Sequence, residues 1–310
     1  MGNPDEQQRD LDGDARAGNS RHAPIRLILT GDDFGASPAV NDAILALYDA
    51  GVLTAASLMV AGPAAADACR CARARPGLAV GLHLALVYGP ALLPSDQIPH
   101  LLRGQPELDR NFSRAGFRYT LLPGCRRELD RELVAQFCRF DELGLGWSHV
   151  DTHLHFSLTP VVFHRMIREC RRYPVAGIRI PEDDYRLYQR QEPVDALRQL
   201  PLGGGFAGLC TYQRRFLRGS AWVTTRRCFG LFRTGRLTGS YLARLVRSLT
   251  PGDYELHCHP DASTESGRGE SRALLSSEFR DALEERQVAL VTYPKLKAIY
   301  QGRGPSPAPE

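Results

Sequence analysis

The chain has 310 residues, room for one large α/β domain or two small ones, and its 43% hydrophobic content supports a sizeable core, which excludes a disordered protein. It contains no run of 18 apolar residues that could cross a bilayer as a helix, and a net charge of +4 is too small to imply nucleic acid by itself. Eight cysteines without a CxxC pair or regular spacing read as reduced thiols, several of them buried, in a cytoplasmic protein.

Taken in order, residues 1–23 are polar, contain acids and lack the apolar centre of a secretory signal. They and residues 303–310 are expected to be loose tails around a single domain over 24–302. "IRLILT" (25–30) suits a buried strand. Ser37 and Pro38 then offer an N-cap and a first-turn proline for the helix "PAVNDAILALYDA", which Gly51 ends. "TAASLMV" (54–60) is a strand, "PAAADACRCARAR" a helix stopped by Pro76 and Gly77, and "LAVGLHLAL" (78–86) a strand. Residues 88–123 are loop-rich. The amphipathic helix "RRELDRELVAQFCRFDELG" follows, then "WSHVDTHLHF" (147–156) as strand and loop, a helix over 160–172 and the strand "GIRI" (177–180). Residues 185–250 give no firm period. "YELHCH" (254–259) is a strand, 271–285 a helix, "QVALVTY" a strand, and a short helix closes the domain. Helices separate most strands, so the strands should be parallel. Seven or eight such units predict an α/β fold, a TIM-like (β/α) barrel, ahead of a doubly wound open sheet.

In such folds sites gather at the C-terminal ends of strands. Four polar clusters fall there: Asp32–Asp33, His83, the group His149, Asp151, His153 and His155, and the pair His257 and His259. Each has a bland alternative. Paired acids after a strand commonly cap a turn or helix, and a histidine in an apolar run is commonly a satisfied core residue. "HVDTHLH" is stronger, because alternate strand residues share a face and four ionisable groups there are costly to bury unless they bind a metal or pair. Five or more of the nine histidines sit at strand ends, and that convergence points to a site.

"LTGDDFGAS", "VGLHLAL", "HVDTHLH" and "HCHP", in that order, resemble the YdjC-like carbohydrate deacetylase family over roughly residues 25–300. The resemblance implies a distorted (β/α) barrel, one divalent metal ion (Mg or Zn) and removal of N-acetyl groups from amino sugars. Its Asp-His-His metal set falls on Asp33, His83 and His153. Against the family's "DSHHHVH" this chain reads "DTHLHFS", with Leu154 and Ser157 in place of histidines, a departure that bears on substrate contacts. Length, tails and the arginine-rich stretch are most similar to the hopanoid-biosynthesis-associated branch, which implies an N-acetylglucosaminyl hopanoid lipid as substrate.

Amide hydrolysis needs a nucleophile, a stabilised oxyanion and a proton for the amine. With Asp33, His83 and His153 on the metal, Asp32 is the expected general base and His259 the expected general acid. Asp151 would orient a metal-binding imidazole or bind the metal weakly, Arg179 would hold a sugar hydroxyl or orient Asp32, and His155 and His257 complete the candidates. Residues 201–250 carry nine arginines and no acid, interleaved with Phe206, Tyr212, Phe216, Trp222, Phe229, Phe232 and Tyr241. This basic aromatic insert is either a helical segment with a solvated face or a contact for the inner face of a membrane. No RNA-binding motif accompanies its arginines, so no nucleic-acid partner is expected. Two other functions compete: another barrel metallohydrolase of amidohydrolase or phosphoesterase type, and a non-catalytic sugar- or lipid-binding barrel. "DFG" is not a kinase signature here, because no glycine-rich loop or HRD segment accompanies it.

Overall fold

Eight parallel strands form one sheet among the residues described by the computed structural model, which are 24–191 and 193–302, side chains at 193–204 excepted. The tails expected over 1–23 and 303–310 lie outside the described residues. The strands are β1 (Ile25–Phe34), β2 (Ala55–Leu58), β3 (Ala79–Leu84), β4 (His149–Thr152), β5 (Gly177–Ile178), β6 (Arg227–Phe229), β7 (Gly252–Cys258) and β8 (Ala289–Leu290). Their lateral order is β5-β4-β3-β2-β1-β7-β6, with β8 beside the start of β1. A parallel bridge from Gly177 to Val223, and a hydrogen bond from Cys228 N to Glu182 O, carry the β6 edge round to the β5 edge. The curled sheet therefore approaches the barrel expected from the alternating pattern.

Twelve helices accompany the strands among the described residues: α1 (Pro38–Asp49), α2 (Ala65–Arg73), α3 (Pro99–Leu102), α4 (Phe112–Leu121), α5 (Pro123–Glu142), α6 (Pro160–Cys170), α7 (Tyr185–Gln191), α8 (Pro193–Leu217), α9 (Gly239–Ser248), α10 (Glu265–Leu274), α11 (Ser277–Glu285) and α12 (Tyr293–Tyr300). Helix α1 starts as its sequence dictates, with Ser37 Oγ accepting from Val40 N and Pro38 in the first turn. None of the described helices is long and apolar enough to cross a membrane.

Several expectations need correction. The loop-rich stretch 88–123 contains α3 and α4, and the Asn111 side chain caps α4 by accepting from Arg114 N. The helix expected over 271–285 is two helices, because Ser276 starts a new one by accepting from Phe279 N. The stretch 201–250, for which the sequence gives no firm period, includes most of α8, then β6 and α9, so it supplies one strand of the sheet.

Strand alternation decides what faces the barrel interior. Leu27 and Leu29 of β1, Val80 and Leu82 of β3, Val150 of β4 and Leu256 of β7 join the layer under the helices. The opposite face of the same strands lines the interior. Its floor is apolar: Ile28, Ala55, Ala176, Val223, Val291, Tyr293 and Leu296 pack together. Gly177 makes room for this plug, since a Cβ there would lie 2.0 Å from the Tyr293 ring. Above the floor every inward residue is polar or small: Thr30 and Asp32, Ser57, Gly81 and His83, His149 and Asp151, Arg179, Glu255 and His257.

Candidate metal centre and active site

Asp32 and Asp33 diverge because β1 breaks its alternation between them. Asp32 follows Ile28 and Thr30 into the interior. Asp33 adopts φ 64°, the register against β2 shifts between Gly31 and Phe34, and the chain turns, with Ala36 N donating to Asp33 O at 2.9 Å. A left-handed backbone at a non-glycine residue is sparsely populated and is a common mark of a functional position.

The turn brings the Asp33 carboxylate to the mouth of the barrel. Its Oδ1 lies 2.9 Å from His153 Nδ1 and 3.3 Å from His83 Nε2, and the two imidazole nitrogens are 3.3 Å apart. Despite this proximity, Oδ1 is buried without an aligned hydrogen bond. Three donor atoms crowded at these distances fit a shared cation, since ligand atoms about 2.1 Å from a metal lie about 3.0–3.4 Å from one another. One carboxylate and two imidazoles also suit a divalent ion with positions left open.

His83 Nδ1 lies 3.0 Å from Asp151 Oδ1. That contact fixes the ring and directs Nε2 toward the cluster, as carboxylate partners of metal-binding histidines do. Burial disfavours an imidazolium at His83, but Asp151, Asp33 and Asp32 outweigh it and push the ring up to about 10 in the cation-free protein.

Beneath the cluster the buried Arg179 guanidinium is shared by three carboxylates. It donates to Asp32 through Nη1 at 2.7 Å and Nη2 at 2.9 Å, and to Glu255 Oε1 through Nε at 3.0 Å and Nη2 at 2.8 Å. It also pairs with Asp151. Thr30 Oγ1 donates to Glu255 Oε1 at 2.8 Å and the Tyr293 hydroxyl to Glu255 Oε2 at 2.6 Å. Burial acts to raise all three carboxyls, yet the Arg179 charge holds each below the usual carboxylate range. Asp32 is therefore held in its ionised form by Arg179.

His155, His257 and His259 gather in a second histidine cluster. The His257 ring meets His155 edge-on at 4.8 Å and His259 at 5.6 Å, and Cys228 Sγ lies 3.6 Å from His257 Nδ1. Burial, with Arg179 and His259 adding to it, keeps His257 neutral and lowers it to about 4. His155 is held well below its usual range by burial and by His257. His257 Nε2 and His259 Nδ1 are buried without partners, and Glu270 fixes the His259 backbone by accepting from its N at 2.6 Å. Among the described residues, three sets of side chains bring potential ligand atoms within 4.8 Å of one another: Asp33-His83-His153, Asp32-His257-His259 and Asp32-His83-Asp151. Only the first lacks an acid committed to Arg179.

The structure thus draws Asp32, Asp33, His83, Asp151, His153, His155, Arg179, His257 and His259 to one end of the barrel. One expectation is corrected. His149, Asp151, His153 and His155 do not share a strand face, because β4 ends at Thr152. His153 and His155 lie in a 3-10 segment, His153–Leu158, whose Leu154 and His155 are left-handed (φ 53° and 54°). His149 sits one layer down, 2.9 Å from Ser57 Oγ and stacked 5.0 Å from the Tyr293 ring. Glu255, Ser57 and Tyr293 escaped the sequence reading. The first had a signal, since the alternation of "YELHCH" places Glu255 on the face of His257 and His259.

A family model described as YdjC-like protein matches residues 26–285. A carbohydrate deacetylase of Geobacillus stearothermophilus is 38% identical over 159 residues, covering 50% of this chain and 61% of the relative. Carbohydrate deacetylases of Brevibacillus brevis (32% over 180 residues, 58% of this chain and 67% of the relative) and Mus musculus (35% over 162 residues, 51% of each) also match. The chain therefore spans about half to two thirds of the length of these relatives. The solved structure of an Enterococcus faecalis V583 protein named for cellobiose-phosphate cleavage superposes with a TM-score of 0.66 at 20% identity, over 88% of this chain and 99% of that one, a likeness of fold.

Proposed function

Because the chain belongs to the YdjC-like protein family, we propose that it is a metal-dependent carbohydrate N-deacetylase, which hydrolyses the N-acetyl group of an N-acetylated amino sugar to acetate and the free amine. The observation that carries this reading is the meeting of Asp33 Oδ1, His83 Nε2 and His153 Nδ1 at the barrel mouth, with the ionised Asp32 beside them.

Asp33, His83 and His153 would hold the divalent ion, and two imidazoles favour zinc or another transition metal over magnesium. When bound, the ion supplies Lewis acidity toward the acetyl carbonyl oxygen and the attacking water. The chain's own residues do the rest. Arg179 grips both Asp32 oxygens, so Asp32 is an oriented acceptor for the proton of the attacking water, though a weak base. Asp151 keeps the His83 ring in register. His259, across the site beside His257, donates a proton to the departing amine as the C–N bond breaks.

The substrate reading extends to N-acetylglucosamine carried on a hopanoid lipid, acted on from the cytoplasm at the inner face of a membrane. Free thiols at all eight cysteines support a reducing compartment. A mostly apolar groove of about 390 Å³ between α4 and α8, lined by Phe112, Phe117, Leu121, Leu158, Pro160 and Phe206, supports an amphiphilic substrate. The test is acetate release from free, oligomeric and lipid-linked N-acetylglucosamines, before and after chelation. Release that stops on chelation and returns with a divalent metal is expected. Silence on the whole panel, or indifference to chelation, would sink the reading.

A further inference from the structure

Taking the ligand to be an amino sugar, as the deacetylase reading has it, we propose that Tyr88 is the sugar-binding platform of the site, an aromatic surface against which the apolar face of a pyranose ring stacks. Its ring centroid lies 6.4 Å from that of His153, tilted by 37°, so it stands directly beside the Asp33-His83-His153 cluster. The residue is 48% exposed, so part of its ring stays open to a ligand.

The backbone holds it there at a cost. Tyr88 has φ 52°, a left-handed conformation that a bulky residue rarely adopts without surrounding structure to enforce it. The enforcement is visible. Tyr88 N donates to Asp109 O at 3.1 Å, and Leu108 N donates to Gly89 O at 2.9 Å, which ties the loop after β3 to the loop before α4. Asp109 is pinned in turn: its carboxylate accepts from Arg114 Nε at 2.8 Å, from Arg118 Nη1 at 3.2 Å and from Asn111 N at 2.9 Å. The Arg110 guanidinium braces the ring from 5.4 Å.

The chemistry suits a sugar. A pyranose presents a ring of C–H groups on its apolar face, and a rigid aromatic ring gains contact with that face at low entropic loss. Leu154, immediately after His153, has the same two properties, φ 53° and 48% exposure, so a second apolar side chain is held in solvent beside the same metal-site histidine. Hydrogen bonds and the cation then need only orient a ring already docked.

The experiment is calorimetric titration with N,N′-diacetylchitobiose in the Asp32→Asn background, so that the sugar is not consumed. Tyr88→Ala should weaken binding about tenfold, Tyr88→Phe should bind within about twofold of the parent, and metal content should be unchanged in both. Parental affinity in Tyr88→Ala would overturn the platform alone. A Phe variant as weak as the Ala variant would also overturn it, because the hydroxyl and not the ring face would then matter. No binding by the parent would overturn both the platform and the choice of ligand. Tyr88-dependent binding by a parent whose wild type releases no acetate would leave the platform standing and remove the deacetylase reading.

Discussion

Asp32 and Asp33 are adjacent in the chain, yet their carboxylates answer to different partners: Asp32 is gripped by Arg179 at 2.7 and 2.9 Å, while Asp33 Oδ1 lies 2.9 Å from His153 Nδ1 and 3.3 Å from His83 Nε2. The left-handed turn at Asp33 separates them, and it turns one sequence motif into two sites.

That separation is testable by substitution. Asp33→Ala is expected to lose the bound divalent metal and, with it, acetate release. Asp32→Asn is expected to keep the metal and lose about 10²–10⁴-fold in kcat, the usual reach of a positioned proton acceptor. Metal analysis of the purified variants beside a turnover assay checks both. A metal-free Asp33→Ala protein with full activity would end the assignment.

Arg179 is the one guanidinium shared by the three buried carboxylates Asp32, Asp151 and Glu255 of the described interior, so its removal leaves uncompensated charge. Arg179→Met should destabilise the fold by about 3–5 kcal/mol, the range for breaking a buried ion pair from one side. Arg179→Lys should also fall short, because an ammonium cannot serve both Asp32 oxygens and Glu255 together. Denaturant unfolding gives the number; a change below about 1 kcal/mol for Arg179→Met would show the network to be slack.

His83 makes the cation-free protein sensitive to alkali. Its folded value, about 10, lies above the ordinary 6.5, so its protonated form stabilises the fold fully below about pH 6.5. That stability drains away as pH rises toward 10. Apoprotein melting temperatures should therefore fall over that window, whereas His83→Gln apoprotein should show a flatter profile. Because a cation on Nε2 replaces the proton, metal binding near pH 8 should release protons, read as a buffer-dependent heat in calorimetry. A buffer-independent heat would contradict the exchange.

The barrel floor tolerates no extra methyl at Gly177. A Cβ there would lie 2.0 Å from the Tyr293 ring, so Gly177→Ala must push that ring aside, at about 1–3 kcal/mol. Thermal unfolding measures the loss. An unchanged melting temperature would mean that the ring moves freely.

Most of the fold was legible because alternation of strand and helix patterns is a strong signal, and the site was legible where polar residues interrupt apolar strands at their ends. Asp33, His83 and His153 stand in clusters that this pattern picks out, but their grouping as one set came from the family resemblance and not from the pattern. The geometry of "DTHLH" did not, because the left-handed Leu154 and His155 contain no glycine to announce a turn. Strand β6 is three residues long, too short to show a period, so its place in the sheet is set by pairing with β7. Tyr88 was invisible for a related reason: exposure and backbone strain leave no periodic trace in a loop.

The hydrogen bond from the Tyr293 hydroxyl to Glu255, and onward through Arg179 to Asp32, has a consequence for synthesis. Tyr293 opens α12, the last of the described helices, so the interior carboxylate of Asp32 acquires its full supporting network only when that helix has been made and docked. A nascent or proteolytically clipped chain ending before that tyrosine would hold Asp33, His83 and His153 and still lack the Tyr293 support for the Glu255–Arg179–Asp32 network.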